Sequence, residues 1–133
     1  MQKLKEKKMI LLVDDFEFYL ETAAIILKDK YEIITASSGQ EAIEYLLGGG
    51  KIPDLILLDI VMPEMDGWVT YSRLKEISSE HNVPIAFVTS MFGTSVEKHA
   101  YDIGIADFIT KPYNKNDLLT RIEKIFNVEI KES

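Results

Sequence analysis

The sequence predicts an α/β fold, a doubly wound five-stranded parallel sheet of order 2-1-3-4-5 carrying five helices. Two observations lead there. Apolar runs of strand length alternate with segments of helical period, and each run is followed by a helix before the next begins. Such connections make a parallel sheet covered on both faces, and right-handed crossovers leave few topologies. A third observation says where to look for function: the apolar runs end in carboxylates, hydroxyls and a lysine. In folds of this kind ligands bind beyond the carboxyl ends of the strands, at the switch point between strands one and three.

The elements follow in order. Met9 to Val13 is five apolar residues cut off by Asp14-Asp15, a buried strand. Phe16 to Lys28 has Leu20, Ala23, Ala24 and Leu27 on one helical face. Tyr31 to Ala36 is a more polar strand and belongs nearer an edge. Ser38 and Glu41 have capping-box spacing and open a helix through Leu47, which Gly48-Gly49-Gly50 stops. Leu55 to Leu58 is the most apolar strand and should be central. Asp66-Gly67 opens a third helix with Trp68, Tyr71 and Leu74 roughly in line. Pro84 to Val88 is a fourth strand, Ser95 to Ile103 a fourth helix ended by Gly104, and Asp107 to Thr110 a short fifth strand. Asn114 starts a last helix with Leu118, Ile122 and Ile125 at helical spacing.

Length and composition limit the function classes. The 133 residues read as one domain, with a core of about 8–127, a basic leader 1–7 and a short tail 128–133. With 47% apolar and 28% charged residues the chain is globular rather than disordered. It has no cysteine, which excludes a disulfide framework, a thiol nucleophile and Cys-ligated metal, and suits a cytoplasmic setting. A net charge of −7 argues against direct nucleic-acid binding. No apolar stretch approaches the ~18 residues of a membrane span. The run after the basic leader is also too short for a secretory signal.

At the strand ends, Asp14-Asp15, Asp59, Thr89-Ser90 and Lys111-Pro112 should face one crevice. Three carboxylates so placed repel one another and raise each other's pKa, a conflict that a hard divalent cation removes. All-oxygen donors with room for water suit Mg2+, with Mn2+ as a substitute. Helix capping accounts for one aspartate after the first strand, but not for a second, nor for Asp59. Asp59 follows four apolar residues in mid-sheet, where the strand holds its carboxylate rigidly enough to attack phosphorus. Phosphoryl transfer asks mainly for positioning and charge neutralisation, which Lys111, Thr89 and nearby backbone N–H groups can supply.

The ordered set of Asp14-Asp15, the segment Leu57 to Gly67, Thr89-Ser90 and Lys111-Pro112 resembles a response-regulator receiver domain, with its flavodoxin-like fold, over roughly Lys8 to Phe126. The resemblance implies that Asp59 is the phosphoacceptor. It implies that Asp15, Asp59 and the main-chain carbonyl of Val61 bind Mg2+ directly, with Asp14 acting through water. Thr89 and Lys111 then bind the phosphoryl group, which comes from a histidine kinase or histidine phosphotransfer protein. The domain catalyses only its own phosphorylation and dephosphorylation.

The resemblance also implies a switch. Thr89 moves toward the phosphoryl group and Phe108, in a position where tyrosine is common, turns inward behind it. The responding surface is the fourth helix, fifth strand and fifth helix, where Met91, Phe92, Tyr101 and Tyr113 suggest contact with an effector or output domain. Phosphorylation-linked dimerisation through that face is a further output. Val61 and Met91 are apolar and cannot orient a hydrolytic water, so the phosphorylated form should not be unusually short-lived. His81 and His99 read as surface residues outside this chemistry.

Other readings fit less well. An aspartate-nucleophile phosphatase usually has a second aspartate where this chain has Val61. A flavodoxin phosphate loop would not be Asp14-Asp15-Phe16-Glu17, and Gly48-Gly49-Gly50-Lys51 lacks P-loop spacing. An unphosphorylated receiver-like binding module leaves the intact acidic, hydroxyl and lysine set unexplained.

Overall fold

The computed structural model describes residues 7–62, 67–90 and 93–132. Five strands, β1 (Met9–Val13), β2 (Glu32–Ala36), β3 (Leu55–Asp59), β4 (Ile85–Thr89) and β5 (Phe108–Thr110), form one parallel sheet of order β2-β1-β3-β4-β5. The helices are α1 (Glu17–Leu27), α2 (Gly39–Leu47), α3 (Gly67–Ile77), α4 (Thr94–Asp102) and α5 (Lys115–Glu132), with a 3-10 turn at Ser79–His81. Every residue of β1, β3 and β4 is buried, as parallel strands covered on both faces must be. β2 is mostly half-buried or exposed and lies at the edge its composition predicts.

Alternate strand residues build two cores. Leu11, Val13, Ile56, Leu58, Ile85, Phe87 and Phe108 pack on one face with Ala42, Ile43, Leu46, Tyr71, Leu74 and Ala100 of α2, α3 and α4. Ile10, Leu12, Leu55, Leu57, Ala86, Val88 and Ile109 face the other way, against Leu20, Ala23 and Leu27 of α1 and Leu118, Ile122 and Ile125 of α5. Helices on both faces put the chain reversal between β1 and β3, so the carboxyl ends of β1, β3 and β4 share one rim.

Local chemistry sets the element ends. Phe16 is the N-cap of α1 without a side-chain cap bond, and Lys28 its C-cap, each one residue outside the helix. Ser38 Oγ accepts the Glu41 N–H at 3.0 Å. Only half of the expected capping box forms, because the Glu41 carboxylate instead accepts the Ser37 hydroxyl at 2.7 Å. Asn114 Oδ1 accepts the Asp117 N–H at 2.9 Å and caps α5. α5 continues to Glu132, through most of the stretch predicted as a tail, because no glycine or proline follows Phe126 to stop it. No helix among the described residues is long and apolar enough to cross a membrane.

Candidate functional site

β1 delivers Asp14 to the rim. Its N–H continues the ladder to Ala36 O at 3.1 Å, and its Oδ1 accepts the Phe16 N–H at 2.9 Å, an Asx turn that leads into α1. Helix entry therefore occupies one oxygen of Asp14. The other, Oδ2, makes no hydrogen bond but lies 2.6 Å from Lys111 Nζ as an ion pair. Asp14 is only 2% exposed, whereas Asp15 is exposed.

β3 ends on Asp59, which is 4% exposed. Its Oδ1 accepts the Val61 N–H at 3.0 Å and its Oδ2 accepts a hydrogen bond from Lys111 Nζ at 3.2 Å. Behind it, Gly67 N–H donates to Ile60 O at 3.2 Å. A Cβ on Gly67 would stand 2.1 Å from Ile60 Cα, so only glycine lets α3 begin this close to the residue after Asp59. Val61 carries its side chain outward, 46% exposed.

β4 and β5 bring in the remaining pair. Thr89 closes β4, fully buried, and its carbonyl accepts the Lys111 N–H at 2.8 Å. That bond fixes the lysine's backbone beside the end of β4. The Lys111–Pro112 peptide is cis. The Lys111 side chain is only 4% exposed, and its ammonium bridges Asp14 and Asp59.

One carboxylate oxygen from each of Asp14, Asp15 and Asp59 lies within 4.8 Å of the others, the one such group among the described residues. Three hard oxygen donors facing one ammonium leave negative charge in excess, a set that can hold a divalent metal ion. The Asp59 carboxyl is pushed up to about 6, chiefly by burial; the Val61 N–H and Lys111 pull it down, and Asp14 adds a smaller upward push. The expected repulsion from Asp14 raises Asp59, but loss of water is the larger cause.

Two aromatic residues join the site. The Tyr19 ring of α1 lies under Lys111 Nζ, 4.1 Å from its centroid. Tyr113 was expected on the face of α4, β5 and α5; it turns instead toward α1, edge-on to Tyr19 at 6.0 Å, half-buried on the α1/α5 side. Burial, then Asp14 and Asp59, push the Tyr113 phenol up. Tyr19 was not singled out in the sequence, because nothing in its spacing ties it to Lys111. Only the fold brings them together.

Phe108 is 5% exposed, inside the core, with Phe87 as its register partner on β4. Trp68 and Tyr71 pack edge-on against Phe87 at 5.3 and 5.5 Å. Tyr101 is 48% exposed on α4 and its hydroxyl donates to Asp107 at 3.1 Å. His81 and His99 are exposed, His99 with its ring 4.7 Å from that of Trp68. Met91 and Phe92, residues 63–66 of the quoted motif, and the leader up to residue 6 lie outside the described residues.

Carboxylates gathered at the switch point of a 2-1-3-4-5 sheet, with Lys111 just past β5 between two of them, make this rim anionic, unlike a flavin or nucleotide site, where such acids would repel the ligand's phosphate. Over residues 10–123 the chain matches the response regulator receiver domain, and it belongs to that family. It is 36% identical over 123 residues to the probable transcriptional regulator ycf27 of Pyropia yezoensis, covering 90% of this chain and 48% of that protein. The transcriptional regulatory protein DltR of Streptococcus agalactiae is 36% identical over 114 residues, covering 85% of this chain and 49% of that one. The chain thus spans about half the length of these relatives. Among solved structures, the CheX-CheY-BeF3-Mg+2 complex of Borrelia burgdorferi superposes with a TM-score of 0.83 at 28% identity, covering 91% of this chain and 90% of that one.

Proposed function

We propose that this receiver domain is a phosphorylation-dependent switch that accepts a phosphoryl group on Asp59 from a histidine kinase or histidine phosphotransfer protein. The observation that carries the reading is Lys111 lodged between two buried acids, Asp14 and Asp59, at 2.6 and 3.2 Å. A lysine so placed already touches the nucleophile, and it can pass to a phosphoryl oxygen once Asp59 is esterified.

Asp15, Asp59 and the Val61 carbonyl would hold Mg2+ or Mn2+, with Asp14 acting through water; the three clustered carboxylates fit such an ion. The cation supplies neutralisation of charge on the phosphoryl oxygens. A carboxylate oxygen of Asp59 bonds to phosphorus as the donor's P–N bond breaks, and the imidazole nitrogen keeps the electron pair. Lys111 neutralises one phosphoryl oxygen and Thr89 donates to another. The Borrelia relative, solved with BeF3 and Mg+2, supports this use of the site.

The new charge, roughly −2 at neutral pH, acts through Thr89 and Phe108 on the surface of α4, β5 and α5. Phe108 already lies inside the core, which favours the inward form of the switch. Exposed Tyr101 marks the surface offered to an effector or output domain, or to a second phosphorylated copy. Residues 8–127 form the receiver unit, acting in the cytoplasm without contacting nucleic acid or membrane. Intact mass after treatment with acetyl phosphate and Mg2+ tests the proposal. A gain of about 80 Da, absent in Asp59→Asn, is expected; no gain in the wild type, or an equal gain in the variant, overturns it.

A further inference from the structure

We infer that Tyr19 is a positioning residue for the phosphoryl-binding ammonium: its ring face holds Lys111 in place when the carboxylates around it change partners. The inference rests on the function proposed above and adds a residue to it. Among the described residues, Lys111 Nζ lies against Asp14 at 2.6 Å, Asp59 at 3.2 Å, and the Tyr19 ring with its centroid at 4.1 Å. One N–H donates to Asp59, while Asp14 as an ion pair and the ring face supply the rest of the charge neutralisation around the ammonium. With the side chain only 4% exposed, water does little of this work.

These neighbours differ in what phosphorylation does to them. Asp59 is esterified and loses its charge. Asp14 lies in the acid cluster and faces whatever cation enters it. Tyr19 belongs to α1 and takes no part in that exchange. Its ring is also held from several sides: Phe16 and Phe18 each lie 5.4 Å away edge-on, and Tyr113 packs nearly perpendicular at 6.0 Å. A ring so braced keeps its face toward the ammonium. It therefore acts as the fixed point about which Lys111 turns from carboxylate to phosphoryl oxygen. Cation–π attraction is strongest where water is excluded, as it is here.

The test uses the full chain, with acetyl phosphate and Mg2+ as the probe. Tyr19→Met fills similar space without a π face, whereas Tyr19→Phe keeps the face and removes the hydroxyl. Tyr19→Met should slow phosphorylation about three- to thirty-fold, the range of a partly to fully desolvated cation–π contact, and Tyr19→Phe should restore most of the rate. A rate for Tyr19→Met equal to wild type, or an equal loss in Tyr19→Phe, overturns the inference. An independent reading needs no phosphorylation: the Lys111 ε-methylene protons should resonate upfield through the ring current of Tyr19 in wild type and Tyr19→Phe, and not in Tyr19→Met. Unshifted ε-methylene protons in wild type overturn the inference even if a variant fails to fold. Wild type that takes no phosphoryl group overturns the functional reading instead and leaves the ring contact standing.

Discussion

Asp54 and Asp59 bracket the same strand, one just before β3 and one at its end, and the fold treats them in opposite ways. Asp54 Oδ2 accepts the Met9 N–H at 2.7 Å while its own N–H donates to Met9 O at 2.8 Å. The pair of bonds ties the start of β1 to the start of β3. Asp59 receives one backbone N–H and then shares a single lysine with Asp14, with Asp15 alongside. A carboxylate matched by local backbone is structural. One that crowds other acids in a water-poor rim holds unfavourable energy that a cation can release. The residue type is the same; the surplus of negative charge sets one end of the strand apart.

The largest effect should come from removing the shared cation. Lys111→Met leaves Asp14 and Asp59 buried without a counter-charge. It should cost about 3–5 kcal/mol in divalent-free buffer, read by urea unfolding, with much of the loss recovered by millimolar Mg2+. A loss that Mg2+ does not touch would break the contrast, since the two ends would then respond alike.

Next is Asp59 itself. Its carboxyl is raised to about 6 from an ordinary 3.8, so between those values the folded state holds more protons than the unfolded one. Wild-type stability should therefore fall as pH rises from about 4 to about 6 on account of this group, and stay lowered above. Asp59→Asn escapes that penalty. It should be more stable than wild type by on the order of 2 kcal/mol at neutral pH without divalent cation, with the gap closing below about pH 4. Paired thermal or urea denaturation across that range reads it. A gap independent of pH would assign the gain to something other than charge.

The smallest effect belongs to Asp54. Asp54→Ala loses one short charge-assisted bond and should destabilise by about 1–2 kcal/mol, equally with and without Mg2+. Its rate of phosphorylation by acetyl phosphate should match wild type. A difference from wild type that changes with divalent cation would place Asp54 in the same electrostatic system as Asp59.

Much of this contrast was legible beforehand. Leu55 to Leu58 followed by an acid marks a central strand with a carboxylate at its mouth, and alternation of element types gives the sheet order that brings Asp14, Asp59, Thr89 and Lys111 to one rim. The site residues are readable because they sit at positions the backbone period exposes. Asp54 was not singled out, because nothing in a lone acid before a strand says that Met9 is opposite; register decides that. Tyr19 and Tyr113 were missed or misplaced for a similar reason: their ring contacts join α1 to the turn after β5, elements far apart in sequence. The capping box half-failed locally, where Ser37 competed with the expected backbone N–H for the Glu41 carboxylate.

Locating the phosphoryl group on the chain tests the central claim most directly. Protein treated with acetyl phosphate and Mg2+ is reduced with borohydride, which converts an acyl phosphate to the alcohol, and the digest is mapped by mass. The modification should fall on Asp59 alone, with Asp14, Asp15 and Asp54 recovered intact. Modification at one of those acids, or phosphate retained on His81 or His99, would contradict the assignment of the reactive end of β3.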